Sequence, residues 1–258
     1  MSSFLHPDPA TREILEEGYD RYCRKSFIEA DPISIPHLFT HPLDIEVAGL
    51  FAATLAWGQR PTILRNAHSL VQRMDMAPHS YVLHASAQDL NSLNGFVHRT
   101  FMADDAKWFI LALRRIYSEY ESLEDVFLAK IEGQTDTAHA ISHFKALMLR
   151  EPHQRRSEKH VADTSAGSAA KRINMYLRWM VRDDGRGVDL GIWKRIPTAK
   201  LSCPLDVHSG RTARQLRLLH RTADDYKAVQ ELDTALRIYD PIDPVKYDFA
   251  LFGLGVIG

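Results

Sequence analysis

The sequence predicts an all-α protein. Apolar residues recur at helical spacing along most of the chain, and few short stretches alternate with the β-branched enrichment that a strand needs. A first helix is expected over Thr11 to Phe27, ended by Asp31-Pro32-Ile33-Ser34-Ile35-Pro36, because a helix interior does not accommodate two prolines. Pro42 to Ala56 carries Asp44 and Glu46 in its first turn, then Val47, Leu50, Phe51, Thr54 and Leu55 on one face, which predicts a buried helix with an acid-biased start. Further helices are predicted over 61–74, 104–120, 122–131 and 136–149, joined by polar loops such as 85–95.

A basic polar stretch, Glu151 to Gly167, precedes a helix placed at Ser168 to Val181 with Ser168 as its N-cap. Ile173, Tyr176, Leu177 and Met180 give it one apolar face, and Lys171, Arg178 and Arg182 fall in a stripe opposite, open either to solvent or to an anion. After a Gly- and Asp-rich break, Pro204 restricts Cys203 to an extended conformation and places Asp206 at the N-terminal end of a helix running to about Leu219. There a carboxylate is stabilised by free N–H groups and the helix dipole, as a simple N-cap or as something more. Pro244 after Asp243 opens a buried C-terminal helix, on which Asp248 needs a partner.

Length and composition fit one large core or two small ones: 258 residues, 45% hydrophobic and 25% charged. Cys23 and Cys203 stand alone, which excludes a zinc ribbon or a four-cysteine iron–sulfur cluster, so no metal or other cofactor is expected. No apolar run approaches a bilayer span, and the opening MSSFLHPDPATREILEEG lacks the basic lead and apolar block of a secretory signal, so the chain reads as cytoplasmic from a complete N-terminus.

The net charge of -1 conceals a strong asymmetry. Residues 1–154 hold 14 basic and 20 acidic side chains, residues 155–221 hold 15 and 6, and residues 222–258 hold 3 and 7. The central segment would attract a polyanion, unless acidic neighbours pair with it.

Pro204-Leu205-Asp206-Val207-His208, followed by a helix with Arg214, resembles the P-x-D-x-H segment of helix–hairpin–helix DNA glycosylases, above all their 8-oxoguanine branch. Lys171 in Ser168-Ala169-Ala170-Lys171-Arg172 matches the nucleophilic lysine of the bifunctional members, and Asp206 matches the aspartate that starts a helix beside the target sugar. Asp44 to Arg60, DIEVAGLFAATLAWGQR, is similar to the early helix that ends near a glutamine in the same proteins. The blocks KHVAD, SAAKRINMYLRWMVR, PLDVHSGRTAR and DPVKYDFALFGLG resemble a bacterial family of conserved hypothetical proteins across the whole chain. Two departures from the glycosylase pattern stand out. The hairpin L-P-G-x-G-x-K is replaced by Thr164 to Lys171, with no proline and one glycine, and Lys171 lies 35 positions before Asp206, nearer the archaeal 8-oxoguanine pattern.

The resemblance implies two packed helical subdomains, one of terminal helices (about 1–60 and 205–258) and one around the hairpin-like motif (about 61–204), with the site in the cleft between them. It also implies a partner, double-stranded DNA with a damaged base, bound near the bacterial nucleoid, and a base-excision glycosylase with AP-lyase activity on an oxidised purine such as 8-oxoguanine. The residue types suit this chemistry. An ionised Asp206 would stabilise positive charge on the sugar, and a neutral Lys171, favoured by a positive field of Arg172, Arg178 and Arg182, could form a Schiff base. Lys159 and Lys194 are alternative nucleophiles. Gly167, Ser168, Arg172, Arg178, Arg182, His208 and Arg211 are the expected DNA-backbone contacts, although His208 could instead brace Asp206. Trp57, Gln59, Trp179, Trp193 and Phe249 are the expected walls of a pocket for a flipped base, or ordinary core. Two other readings remain: a DNA-binding protein of the same fold without catalysis, and a metal-dependent nuclease.

Overall fold

The computed structural model describes residues 7–257; the opening residues 1–6, part of the stretch weighed as a possible leader, lie outside them. Among the described residues the expectation of a mainly helical chain holds, with twelve α-helices and one two-stranded ribbon. In chain order these are α1 (Pro9–Tyr22), α2 (Pro42–Leu55), α3 (Arg60–Arg73), α4 (Pro78–His84), α5 (Ala87–Asn91), β1 (Val97–His98), β2 (Phe101–Met102), α6 (Ala103–Glu119), α7 (Leu123–Leu128), α8 (Ala138–Met148), α9 (Lys171–Val181), α10 (Val207–Gln215), α11 (Tyr226–Tyr239) and α12 (Asp248–Ile257). β1 and β2 pair antiparallel, Val97 opposite Met102 and His98 opposite Phe101.

Local chemistry sets most helix starts. Asp8 caps α1 through the Thr11 N–H, with Pro9 in the first turn, and Pro42 and Pro78 sit in the first turns of α2 and α4. The first helix ends at Tyr22 rather than Phe27; the chain then makes three short 3-10 turns, Lys25–Ala30, Pro32–Ser34 and Pro36–Leu38, the last two opened by prolines. The helix after Asp206 ends at Gln215, short of Leu219, where Arg217 takes a left-handed φ of 58°. Sequence reading passed over α4 and α11 and took 85–95 as a polar loop, where Ser86 and Asp89 form a capping box that starts α5; Ala228, Val229, Leu232 and Leu236 of α11 carry the same helical spacing as the predicted helices and are all buried.

The larger core gathers α2, α3, α4, α6, α7, α8 and α9 around α2, which is buried from Ile45 to Leu55 and packs directly on α9, α3 and α4. The smaller core joins Leu15 of α1 to Ala213, Leu232, Leu236 and Leu251 of α10, α11 and α12. α1 thus lies in one cluster with α10, α11 and α12, while α2 is the central helix of the other, buried on every side from Ile45 to Leu55. α1 and α12 approach closely because glycines face the contact: a Cβ on Gly18 would lie 2.7 Å from the Ala250 Cβ, and one on Gly253 would enter the Tyr22 ring.

Glu46, expected only as a first-turn acid, is buried at the centre of the larger core. Its carboxylate accepts bonds from Trp193 Nε1 (2.7 Å), Tyr117 Oη (3.0 Å) and the Leu123 N–H (2.9 Å). Burial pushes its pKa from 4.5 up to about 7, against the pull of those three donors. The folded chain thus holds this proton more tightly than the unfolded chain. Its contribution is complete below about pH 4.5 and is lost as pH rises towards 7, a change of about 3 kcal/mol. The stability of Glu46→Gln relative to wild type, from urea unfolding at stepped pH, should accordingly rise by about that amount between pH 4.5 and 8. A flat difference would remove Glu46 as the titrating group.

Candidate active site

α9 begins later than its sequence suggested. Ser168 is not its cap: Ala170 occupies that position in a left-handed conformation (φ 51°), and no side chain caps the helix. The turn before it is tied down by its own N–H groups. The Gly167 N–H bonds Thr164 O, the Ser168 N–H bonds Asp163 O and the Ala170 N–H bonds Ser168 Oγ. The Tyr226 N–H reaches back to Gly167 O, and Ser168 pairs with Asp225. Gly167, with φ at 85°, supplies the positive φ that closes the turn. The amides of Gly167 and Ser168, expected on a DNA backbone, are consumed within the turn itself.

This start puts Lys171 at the first position of α9, facing the first turn of α10. Lys171 Nζ lies 3.7 Å from Asp206 Oδ2, both side chains about a quarter exposed. Asp206 is the N-cap of α10: its Oδ1 accepts the N–H groups of His208 (2.9 Å) and Ser209 (3.0 Å), and Ser209 Oγ accepts the Asp206 N–H in return. One carboxylate oxygen is fixed by the helix and the other is turned to the amine. The cap reading and the site reading of Asp206 are compatible, since each uses a different oxygen.

Lys171 and Asp206 open into a cavity of about 470 Å³, whose other walls include Asp31, Trp57, Arg60, Arg172, Met175, His208 and Phe252. The lining comes from the turn at Asp31, the segment after α2, α3 and α9 on one side and from the start of α10 and α12 on the other. A small annex of about 30 Å³ shares Asp31, Lys171, Met175 and Phe252 with it and adds Phe27, Arg178, Pro204, Asp248 and Phe249. Lys159 lies instead beside His160 on a third cavity of about 150 Å³, which Lys171 and Arg172 also border. Lys194 is exposed and pairs with Asp183 at 2.8 Å. Of the three candidate lysines, Lys171 alone stands against Asp206.

Arg178 and Arg182 face the protein's own carboxylates, not solvent. Both are buried, and the α9 stripe that carries them is a second inward face. Arg178 bonds Asp248 and, at 3.2 Å, Asp189; Arg182 bonds Asp243 (2.8 Å), Asp184 (2.9 Å), Asp189 (3.0 Å) and Tyr19 Oη (2.7 Å). Asp248 thereby finds the partner its apolar helix required. The positive field expected around Lys171 is cancelled at these two arginines. Elsewhere in the basic segment Arg156, Arg186, Arg195, Arg214 and Arg221 are also paired with acids, so internal pairing accounts for much of its excess charge. Arg172, which donates to Thr54 O, still borders the cavity, as does exposed His208, and Arg211 lies exposed one turn further along α10.

The aromatic candidates divide in the same way. Trp57 lines the cavity with the Arg99 guanidinium stacked 4.6 Å from its ring, while Gln59 is exposed next to it at the start of α3. Trp179 and Trp193 belong to the larger core, Trp193 bound to Glu46. Phe249 is buried but borders the annex, with Arg178 over its ring at 4.1 Å. Sequence reading missed Asp31, Arg60, Met175 and Phe252. Asp31 was noticed only for the proline after it, although an Asp before Pro signals a carboxylate fixed at a turn.

A family model described as "Protein of unknown function (DUF2400)" matches residues 31–257. The chain belongs to the DUF2400 family. No curated protein and no solved structure matches it. The DUF2400 span contains every residue that lines the large cavity, from Asp31 to Val256.

Among the described residues no three His, Cys, Asp or Glu side chains form a group able to hold a metal ion, and no helix is long and apolar enough to cross a membrane. Removing Arg182 would leave Asp243 without its cation and Asp189 with Arg178 alone. Arg182→Met should therefore destabilise the fold by about 3–5 kcal/mol, read as a lower urea midpoint at unchanged slope. A loss below about 1 kcal/mol would show that the network is dispensable to folding.

Proposed function

We propose that the protein is a DNA N-glycosylase with AP-lyase activity that removes an oxidised purine such as 8-oxoguanine from duplex DNA. The observation that carries this reading is the Lys171–Asp206 pair, two residues 35 positions apart brought to 3.7 Å at the mouth of a cavity of about 470 Å³. The cavity borders three cationic side chains, Arg60, Lys171 and Arg172, suited to the phosphates that flank a flipped nucleotide.

The chemistry follows from the two side chains. As the glycosidic C1′–N bond lengthens, positive charge grows on the sugar and the ionised Asp206 stabilises it. The neutral amine of Lys171 attacks C1′, the bonding pair leaves with the base, and the base takes up a proton. Ring opening then gives a protonated Schiff base between Lys171 and C1′, whose acidity at C2′ permits β-elimination of the 3′-phosphate. The ammonium must first lose a proton, which passes to bulk water through the open cavity and leaves Asp206 ionised. A non-catalytic DNA-binding role is the second reading, motivated by the departure of Thr164 to Lys171 from the L-P-G-x-G-x-K hairpin.

Borohydride trapping decides between these readings with duplexes carrying 8-oxoguanine, uracil, an abasic site or no damage. A covalent adduct is expected on the 8-oxoguanine and abasic duplexes, lost in Lys171→Ala. Asp206→Asn should slow excision about 100- to 1,000-fold, the scale for removing one electrostatic contact to a charged transition state. Binding without any adduct from wild type would favour the non-catalytic reading.

A further inference from the structure

Three carboxylates face the annex and cavity around Lys171, and two of them are already engaged. Asp206 gives one oxygen to its helix and the other to Lys171; Asp248 gives one to Arg178 and has its other oxygen 4.0 Å from Cys203 Sγ. Asp31 differs. Its Oδ1 accepts the Ile33 N–H at 3.1 Å, which starts the 3-10 turn Pro32–Ser34, while its Oδ2 has neither a hydrogen bond nor an ion pair among the described residues. The side chain is only 7% exposed, and what it borders is the cavity and its annex, both of which it lines.

We infer that Asp31 reads the substrate base: its free oxygen accepts a hydrogen bond from a base that presents an N–H donor edge, as guanine and its oxidised derivatives do. This rests on the glycosylase reading above and names the substrate class of that same site. The walls around Asp31 suit a planar ring. Phe252 and the adaptable Met175 line the cavity beside it, and Phe27 and Phe249, in the annex behind, hold Phe252 in place, Phe27 lying edge-on to Phe249 at 5.4 Å and to Phe252 at 6.4 Å between centroids. An ionised carboxylate accepts hydrogen bonds and donates none, so an edge made only of acceptors is rejected while an N–H edge is taken. Burial pushes the Asp31 carboxyl up from its usual range, against the Ile33 N–H and the Arg178, Lys171 and Arg60 cations, and N–H donors from a base would add to the groups that favour its ionised, accepting form.

The test separates base reading from the chemistry at the sugar. An abasic site has no base to read, so Asp31→Asn should trap an abasic duplex within about twofold of wild type. On an 8-oxoguanine duplex its single-turnover excision should fall at least tenfold, the equivalent of one hydrogen bond of about 1.4 kcal/mol. Asp31→Ser, which retains an oxygen able to cap Ile33, guards against an Asn variant that fails to fold and should give the same split. Unchanged excision of 8-oxoguanine by either folded variant would overturn the inference and leave the glycosylase reading standing. An equal loss on both duplexes would also overturn it, since Asp31 would then be acting on Lys171 and not on a base. If wild type itself forms no adduct on any duplex, the glycosylase reading fails, and the assignment of Asp31 falls with it.

Discussion

The molecule depends most on two arginines that cannot reach water. Arg178 and Arg182, one turn apart on α9, bind carboxylates from three separate places: Asp184 and Asp189 after α9, Asp243 before α12 and Asp248 at its start. Each ion alone would be very costly to bury, and the set is tolerable only because its members meet in one geometry. The network therefore fixes position more than it adds stability. It clamps α9 of the larger core to the α12 region of the smaller one, with Tyr19 of α1 hydrogen-bonded to Arg182 and Asp184 and holding the third side.

That clamp bears directly on the cavity. Lys171 stands two turns before Arg178 on the same helix, and Asp206 opens α10, which packs on α12. A rigid α9–α12 junction thus sets the distance between an amine on one core and a carboxylate on the other. The uncapped, left-handed start of α9 at Ala170 is part of the same arrangement, because a helix beginning at Ser168, as its sequence invites, would continue through the place where the turn now meets α11. Burial also perturbs acids that only structure support, such as Asp233, raised to about 7 while bonded to the Cys203 N–H just before α10. These acids are distributed along the junctions between elements, where carboxylates satisfy backbone donors that no helix or strand supplies.

Much of this was legible in the chain, and the exceptions are instructive. Helix α2 reads as buried from its apolar face, and it is buried from Ile45 to Leu55. The stripe of Lys171, Arg178 and Arg182 was real, but its opening to solvent or to an external anion followed from charge alone. Helical geometry says which residues share a face; it does not say whether carboxylates more than sixty positions away will come to meet them, as Asp243 and Asp248 do. The same limit applies to Trp179 and Trp193, whose size suited a pocket wall as well as it suited a core.

By itself the sequence determined the helical class and the starts of α2 and of the Asp206 helix. Those follow from local rules: apolar spacing, proline geometry and capping act within a few residues of where they are written. Only the tertiary structure decided that Lys171 and not Lys159 or Lys194 stands by Asp206, that Arg178 and Arg182 are buried, and that Asp31 keeps one oxygen vacant. Each of these depends on which distant side chain shares a small, water-poor space. Local chemistry sets the direction of a helix, but the energy of a buried charge is set by its neighbours in space.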